Sequence, residues 1–300
     1  WESMFLVGKS KKVQTDMALN WLIRSSQQKG FFSSDSMRGR GAWMDAGRAV
    51  FHAGDHLVCD GKIVPLGELK SKYIYEAGQK LGYSMKNPMV TKDAHKLITL
   101  CKAMNWSRDI NAYLLAGWCV IAPICGALVW RSHIWITGPA GSGKSWLLKE
   151  IIRPLLGETA LSVQSETTEP GLRQLIKSDA MPVVFDEAEA EVRQQQQSIR
   201  KVLGLMRAAS ADDGGFLVKG SSSGIEKKYR IRSCFAFASI GVTATQQSDK
   251  TRITLLTLKV PPDGKEKEEN WAKLQKMHLD TINNEYAVNL QARTLNILPT

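Results

Sequence analysis

Eight consecutive residues, Gly138-Pro139-Ala140-Gly141-Ser142-Gly143-Lys144-Ser145, have the types and spacing to cradle a polyphosphate. Glycines at the first, fourth and sixth places let successive backbone N–H groups turn into one concavity, and a helix starting at Lys144 would add its partial positive charge. Lys144 would then reach the β- and γ-phosphates of a nucleoside triphosphate and the Ser145 hydroxyl would ligate Mg²⁺. Trp146 is the next residue along this phosphate-binding turn. The motif follows an apolar run, His133–Thr137, and precedes a helix-like one, Lys144–Leu156; that context separates a P-loop from a glycine-rich turn that binds nothing.

Met181-Pro182-Val183-Val184-Phe185-Asp186-Glu187 is an apolar strand ending in two carboxylates, the first of them forty-two residues beyond Lys144. Asp186 would hold Mg²⁺ through water and Glu187 would polarise the attacking water, the pair known as a Walker B site. A third run, Phe235–Ser239, ends in a serine; Ser239 reads either as a γ-phosphate sensor or as an ordinary strand-end hydroxyl. Thirteen residues later, Arg252 reads as an arginine finger aimed at a neighbouring subunit's nucleotide, with Lys250 as its nearby competitor.

Residues 200–232 carry eight Lys and Arg against three acids. Its centre, 216–224, is patterned as a hairpin with Lys219 near a Ser/Gly tip, followed by Lys227, Lys228 and Arg230. Such a positive, flexible tip suits phosphate backbones and carries no base specificity; an ordinary solvated hairpin is the other reading. The chain as a whole is basic: 300 residues with 40 Lys and Arg against 29 Asp and Glu give a net charge of +11, which suits either a polyanionic partner such as nucleic acid or a soluble protein kept dispersed by its charge.

The elements that must position these groups change character along the chain. From His133 onward, strands (133–137, 161–163, 182–185, 233–239, 253–260) alternate with helices (144–156, 170–177, 191–209, 266–289), the grammar of a parallel α/β sheet. Before it come an amphipathic helix over 12–29, hairpin chemistry over 40–66 predicting a small antiparallel β unit, and helices over 91–104 and 107–130, the first with Thr91 as N-cap. Residues 112–130 contain no charge over nineteen positions, close to the ~20 that span a bilayer. Pro123 interrupts them and the P-loop strand follows at once, so the expectation is a buried helical pair and no membrane partner. The five cysteines have no metal-ligand spacing and read as buried thiols in a reducing cytoplasm.

The runs GWCVIAPICGALVWRSHIWITGPAGSGKSWLL, MPVVFDEAEAE, LMRAASADDGGFLVKGSSSG, FAFASIGV and DKTRITLLTL together resemble the AAA+-type helicase/primase proteins of prophages and mobile elements, relatives in the broad sense of the superfamily-three replication helicases. The resemblance covers residues 110–260. It implies an AAA+-type P-loop sheet, ATP and Mg²⁺ at the interfaces of a hexameric ring, and a hairpin that pulls single-stranded or forked DNA through the pore. Ser239 departs from the asparagine usual at the sensor position of superfamily three. The resulting division is an accessory or collar region (1–105), an ATPase core (106–262) and a C-terminal helical segment (263–300), with a primase or other replication domain as a possible companion. The starting Trp1 suggests a fragment of a longer chain. The functional expectation is an ATP-driven DNA translocase or helicase. Its rivals are an AAA+ machine that remodels protein or serves a defence system, and a non-enzymatic initiator scaffold in which ATP gates DNA binding.

Overall fold

The computed structural model describes residues 6–7, 12–28, 34–164, 166–186, 193–211, 217–220, 226–242, 246–261 and 264–298. The chain divides into two compact units, Trp1–Ser36 and Met37–Thr300. The first holds β1 (Leu6–Val7) paired antiparallel with β2 (Lys12–Val13), and α1 (Thr15–Gln28). No side chain of α1 is buried, although its sequence alternates with helical period.

The second unit opens with β3 (Met37–Arg38), which pairs with β8 (Ile74–Tyr75). Between them β4 (Gly41–Asp45), β5 (Arg48–His52), β6 (His56–Cys59) and β7 (Lys62–Pro65) form a four-stranded antiparallel meander. This is the β unit expected over 40–66, its turns made at Ala46-Gly47, Gly54 and Asp60-Gly61, all with positive φ. Two helices follow, α2 (Thr91–Lys102) and α3 (Ile110–Ile121). Thr91 does not cap α2: Val90 is the N-cap, without a side-chain bond, and the Thr91 hydroxyl instead accepts from Arg293 at 3.1 Å. Residues 110–127 are long and apolar enough to cross a membrane, but 61% of that stretch is buried inside the protein. Its last third is 3₁₀, Ala122–Ala127, packed against β4.

The remainder is α/β. β9 (His133–Thr137), β10 (Leu161–Val163), β11 (Val183–Phe185), β14 (Phe235–Ser239) and β15 (Ile253–Thr257) make one sheet, every pairing parallel, in the order β10-β11-β14-β9-β15. The P-loop helix comprises α4 (Lys144–Trp146), a π-helical stretch (Leu147–Ile152) and α5 (Arg153–Leu156). α6 (Glu169–Ile176) and α7 (Arg193–Ala209) lie between β10 and β14 in sequence. After α7 a two-stranded ribbon, β12 (Leu217–Gly220) with β13 (Glu226–Tyr229), stands apart from the main sheet; α8 (Gln247–Lys250) precedes β15. The single C-terminal helix expected over 266–289 is two, α9 (Lys265–Thr281) and α10 (Asn284–Asn296), because the Asn283 side chain accepts from the Tyr286 N–H at 2.8 Å and starts a new helix.

Both faces of the sheet are covered, and successive residues of each strand serve opposite faces. Ile134, Ile136, Val184, Ala236 and Ala238 join one core with α2, α3, the P-loop helix, α9 and α10. Trp135, Phe185, Phe235 and Phe237 join the other with α6 and α7. The aromatics stack on that second face, Trp135 on Phe237 at 5.0 Å. Small alanines in β14 face the P-loop helix, leaving it room to lie close to the sheet.

The β unit is clamped to the residues that lead into β11. Gly39 N–H donates to the Ser178 carbonyl, and Ala180 N–H to the Arg40 carbonyl at 2.7 Å. The Asp179 carboxylate takes the Arg40 N–H at 2.7 Å and its guanidinium at 2.6 Å. A Cβ on Gly41, at φ +119°, would stand 2.2 Å from the Ala180 carbonyl oxygen, so only glycine permits this approach.

Candidate functional site

The loop that joins β9 to α4 has the geometry of an anion cradle. Gly141 and Gly143 sit at φ +77° and +92°, left-handed conformations that glycine adopts without strain. Gly138 is held by contact as well: a Cβ there would fall 2.6 Å from the Leu258 carbonyl and 2.8 Å from Ser142 Oγ. Leu258 cannot yield easily, because its N–H donates to the Thr137 carbonyl at 2.7 Å. Pro139, Ala140 and Gly141 are exposed at the loop's rim and Ser142 is buried. Ser142 Oγ is buried without a hydrogen-bond partner, a group that a phosphate oxygen would satisfy.

Lys144 folds back over the loop, donating to the carbonyls of Gly138 at 2.6 Å and Pro139 at 2.9 Å. Its ammonium therefore already hangs above the concavity, where polyphosphate oxygens would be. Ser145 is exposed at the helix N-terminus. Trp146 turns away, packing edge-on against Trp271 and His278 of α9 at 5.3 and 5.4 Å. Its indole ties the P-loop helix to the C-terminal helices, while its backbone stays beside the loop.

Strand order decides where the carboxylates fall. β14 lies between β9 and β11, and Phe185 pairs with Phe237, which pairs with Trp135. Asp186 follows Phe185 and therefore lies one residue above Trp135's level, two below Gly138, at the same end of the sheet as the loop. On an alternating strand it shares a face with Val184, the face of the P-loop helix. Its N–H donates to the Val163 carbonyl at 3.0 Å, and its Oδ2 meets Arg153 Nη2 of α5 at 3.1 Å. Arg153 was not singled out by motif reading, since no family pattern marks an arginine at that place. Glu187 lies outside the described residues.

Ser239 ends β14 beside Thr137. Its hydroxyl accepts from the Trp135 indole N–H at 2.7 Å and donates to the Gly241 carbonyl. Both bonds stay within the chain, with the side chain buried at 3% exposure. Arg252 immediately precedes Ile253, which pairs with His133, so it stands at the opposite end of the sheet from Gly138. At ~3.3 Å per residue that separates their levels by roughly 20 Å, too far for Arg252 to serve its own loop. Its Nη1 donates to the Ser248 carbonyl at 2.9 Å and its Nε is buried without a partner. Lys250 is exposed on α8.

In the ribbon, Lys219 pairs with Lys227 and Val218 with Lys228. The tip, residues 221–225, and Phe216 lie outside the described residues. Arg230, just after β13, is exposed. Among the described residues no cluster of His, Cys, Asp and Glu has the makings of a separate metal site, and the five cysteines are buried and free.

A parallel sheet with β14 inserted between the loop strand and the carboxylate strand, and a glycine-built loop opening the following helix, defines an α/β core of the P-loop NTPase, AAA+ type, preceded by a mixed α+β region. No protein-family model matches the chain, nor does any curated protein. Among solved structures the chain is similar to the JCV helicase (11% identity, TM-score 0.38, covering 70% of this chain and 54% of that one). It is also similar to the apo C-terminal region of NrS-1 (12%, 0.41, 92% and 71%), and to Cch of SCCmec type IV, an active helicase (12%, 0.42, 92% and 50%). The chain thus spans about half the length of the first of these. It is the strand order and loop geometry, seen in this chain itself, that define the class.

Proposed function

We propose that this chain is an ATP-driven motor: an ATPase that moves along or unwinds DNA, assembled as a ring and serving replication of a prophage or mobile element in the cytoplasm. The observation that carries the proposal is the phosphate cradle. Two left-handed glycines, a third glycine closed in by Leu258, a buried and unpartnered Ser142 hydroxyl and a lysine hung over the concavity are all met at one strand–helix turn. Gly138 to Trp146 supply backbone donors to the phosphates, Lys144 a positive charge, Ser145 an oxygen ligand for Mg²⁺ and Asp186 a carboxylate that holds the ion through water. Magnesium, when bound there, supplies positive charge against the oxygens of the transferred phosphoryl group. Glu187, one residue past Asp186, is the candidate to orient the attacking water.

Arg252 is too far from its own loop, which supports a role at a neighbour's nucleotide and with it a ring, hexameric by resemblance. Ser239 is a weaker candidate for a sensor, since its hydroxyl is already committed at both ends. On the ribbon, two lysines share one register position. Like charges placed opposite one another on a two-stranded ribbon destabilise it unless an anion lies across them, which supports contact of Lys219, Lys227, Lys228 and Arg230 with a nucleic-acid backbone. Residues 106–262 form the motor core in this reading, with 1–105 as a collar and 263–300 as a helical flank.

The test is ATP hydrolysis by the full chain with and without single-stranded DNA, beside unwinding of a forked duplex. Stimulation by DNA together with unwinding supports a helicase. Hydrolysis that ignores DNA but responds to unfolded protein would transfer the motor to protein remodelling, and ATP-dependent DNA binding without turnover would make it an initiator scaffold.

A further inference from the structure

We propose that Arg153 is a built-in counter-ion that holds Asp186 in a closed state and exchanges it for Glu166 when the nucleotide site is filled. The proposal rests on the reading of Asp186 as the carboxylate that holds magnesium. Arg153 lies nine residues beyond Lys144, roughly 13 Å along the helix, and helical side chains lean back toward the N-terminus. Its guanidinium therefore reaches toward the loop, and Nη2 stands 3.1 Å from Asp186 Oδ2. Asp186 cannot shift its backbone to escape, since its N–H is bonded to the Val163 carbonyl at the end of β10.

The pair is only partly made. Arg153 Nε is buried without a hydrogen-bond partner, so the guanidinium does not use the two-point grip that makes arginine–carboxylate pairs strong. It has somewhere else to go. Arg153 lines a cavity of about 520 Å³ together with Ser162, Val163, Gln164, Glu166 and Thr167, and Glu166 offers a second carboxylate on that lining. A guanidinium and a divalent cation cannot both crowd one carboxylate without strong like-charge repulsion. Occupancy of Asp186 by one therefore weakens the other, and a transfer of Arg153 to Glu166 would couple filling of the site to the loop after β10. The pair is partly solvated, with side chains 37% and 26% exposed, so the competition is modest: pairs of this kind shift a linked equilibrium by about two- to five-fold.

The experiment titrates Mg²⁺ against binding of a fluorescent ATP analogue to the full chain. Arg153→Met keeps the aliphatic stem and should lower the half-saturating Mg²⁺ two- to five-fold. Glu166→Gln should raise it by a similar factor, and Arg153→Lys, which keeps charge without the planar fork, should fall between wild type and Arg153→Met. Asp186→Asn should raise it, and adding Arg153→Met to that variant should then change nothing further. An unchanged half-saturation in Arg153→Met, with Asp186→Asn still shifted, overturns the counter-ion. Wild-type binding that is indifferent to Mg²⁺ and to Asp186→Asn overturns the magnesium assignment beneath it instead. Thermal melting without nucleotide, read beside the titration, identifies a variant that fails to fold; in that event the Glu166→Gln shift decides.

Discussion

Gly138→Ala separates two physical causes that are usually confounded in a phosphate-binding loop. At Gly141 (φ +77°) an added Cβ meets nothing within 4 Å, so Gly141→Ala costs only backbone strain, about 1–2 kcal/mol. At Gly138 the added methyl would stand 2.6 Å from the Leu258 carbonyl oxygen and 2.8 Å from Ser142 Oγ. The serine can rotate, but the carbonyl belongs to backbone tied to Thr137 by a 2.7 Å hydrogen bond. Gly138 is also at positive φ (+157°), so forced overlap of about 1–3 kcal/mol adds to a similar backbone strain, for a total near 2–5 kcal/mol. Urea denaturation without nucleotide measures this directly: at equal m-values, Gly138→Ala should lose clearly more stability than Gly141→Ala. Both should weaken nucleotide binding, since both displace the N–H groups that line the concavity. If Gly138→Ala proves as stable as Gly141→Ala, the close approach of Leu258 to the loop is not a constraint and the cradle geometry is misjudged.

Three further expectations follow from the same structure. Arg252→Ala should bind ATP almost normally but turn over ~10³-fold more slowly, and mixing it with Lys144→Ala should restore some activity at interfaces that join one intact loop to one intact arginine; mixed oligomers that form without rescue would exclude a role in trans. Lys219→Ala should weaken single-stranded DNA binding evenly across sequences and reduce the salt slope by about 0.7, one phosphate's worth, whereas unchanged affinity and slope would leave the ribbon a solvated face. Burial, then the charges of Arg131 and Arg252, push His133 down to about 3, so the folded state binds fewer protons than the unfolded chain between about pH 6.5 and 3. Stability should therefore be fully present above pH 6.5 and fall as pH drops through that window. His133→Gln should flatten that acid limb in thermal melts at graded pH; an unaltered limb would assign it elsewhere.

The order of strands and helices was legible where apolar runs end abruptly. β9 and β10 match their expected bounds because Gly138 and Ser132 bracket one and Gln164 follows the other, and the β unit matched because Asp-Gly and Gly-containing turns punctuate it. What the sequence could not express is contact across long separations. Nothing near Arg40 foretells its pairing with Asp179, 139 residues away, or explains why Gly39 and Gly41 must be small. The π-helical stretch inside the P-loop helix leaves no mark in residues that read as regular helix. Thr91 has the residue type of a cap, but tertiary packing gives its hydroxyl to Arg293. The break at Asn283 was legible in principle, as an asparagine three residues before Tyr286, and was hidden by the strong helical pattern on either side. In the candidate site, the motif residues were legible and their surroundings were not: the closed hydroxyl of Ser239, the outward turn of Trp146 and the Arg153 contact all depend on strand order.

The most direct measurement of the central claim is steady-state ATP hydrolysis by the wild-type chain and by Lys144→Ala, with nucleotide affinity measured in parallel. Lys144 places its charge over the loop, so its removal should weaken ATP binding and abolish turnover while leaving the unfolding midpoint without nucleotide within a few degrees of wild type. A Lys144→Ala protein that hydrolyses ATP at the wild-type rate, or a wild-type protein that neither binds nor hydrolyses ATP with Mg²⁺, would contradict the account at its foundation.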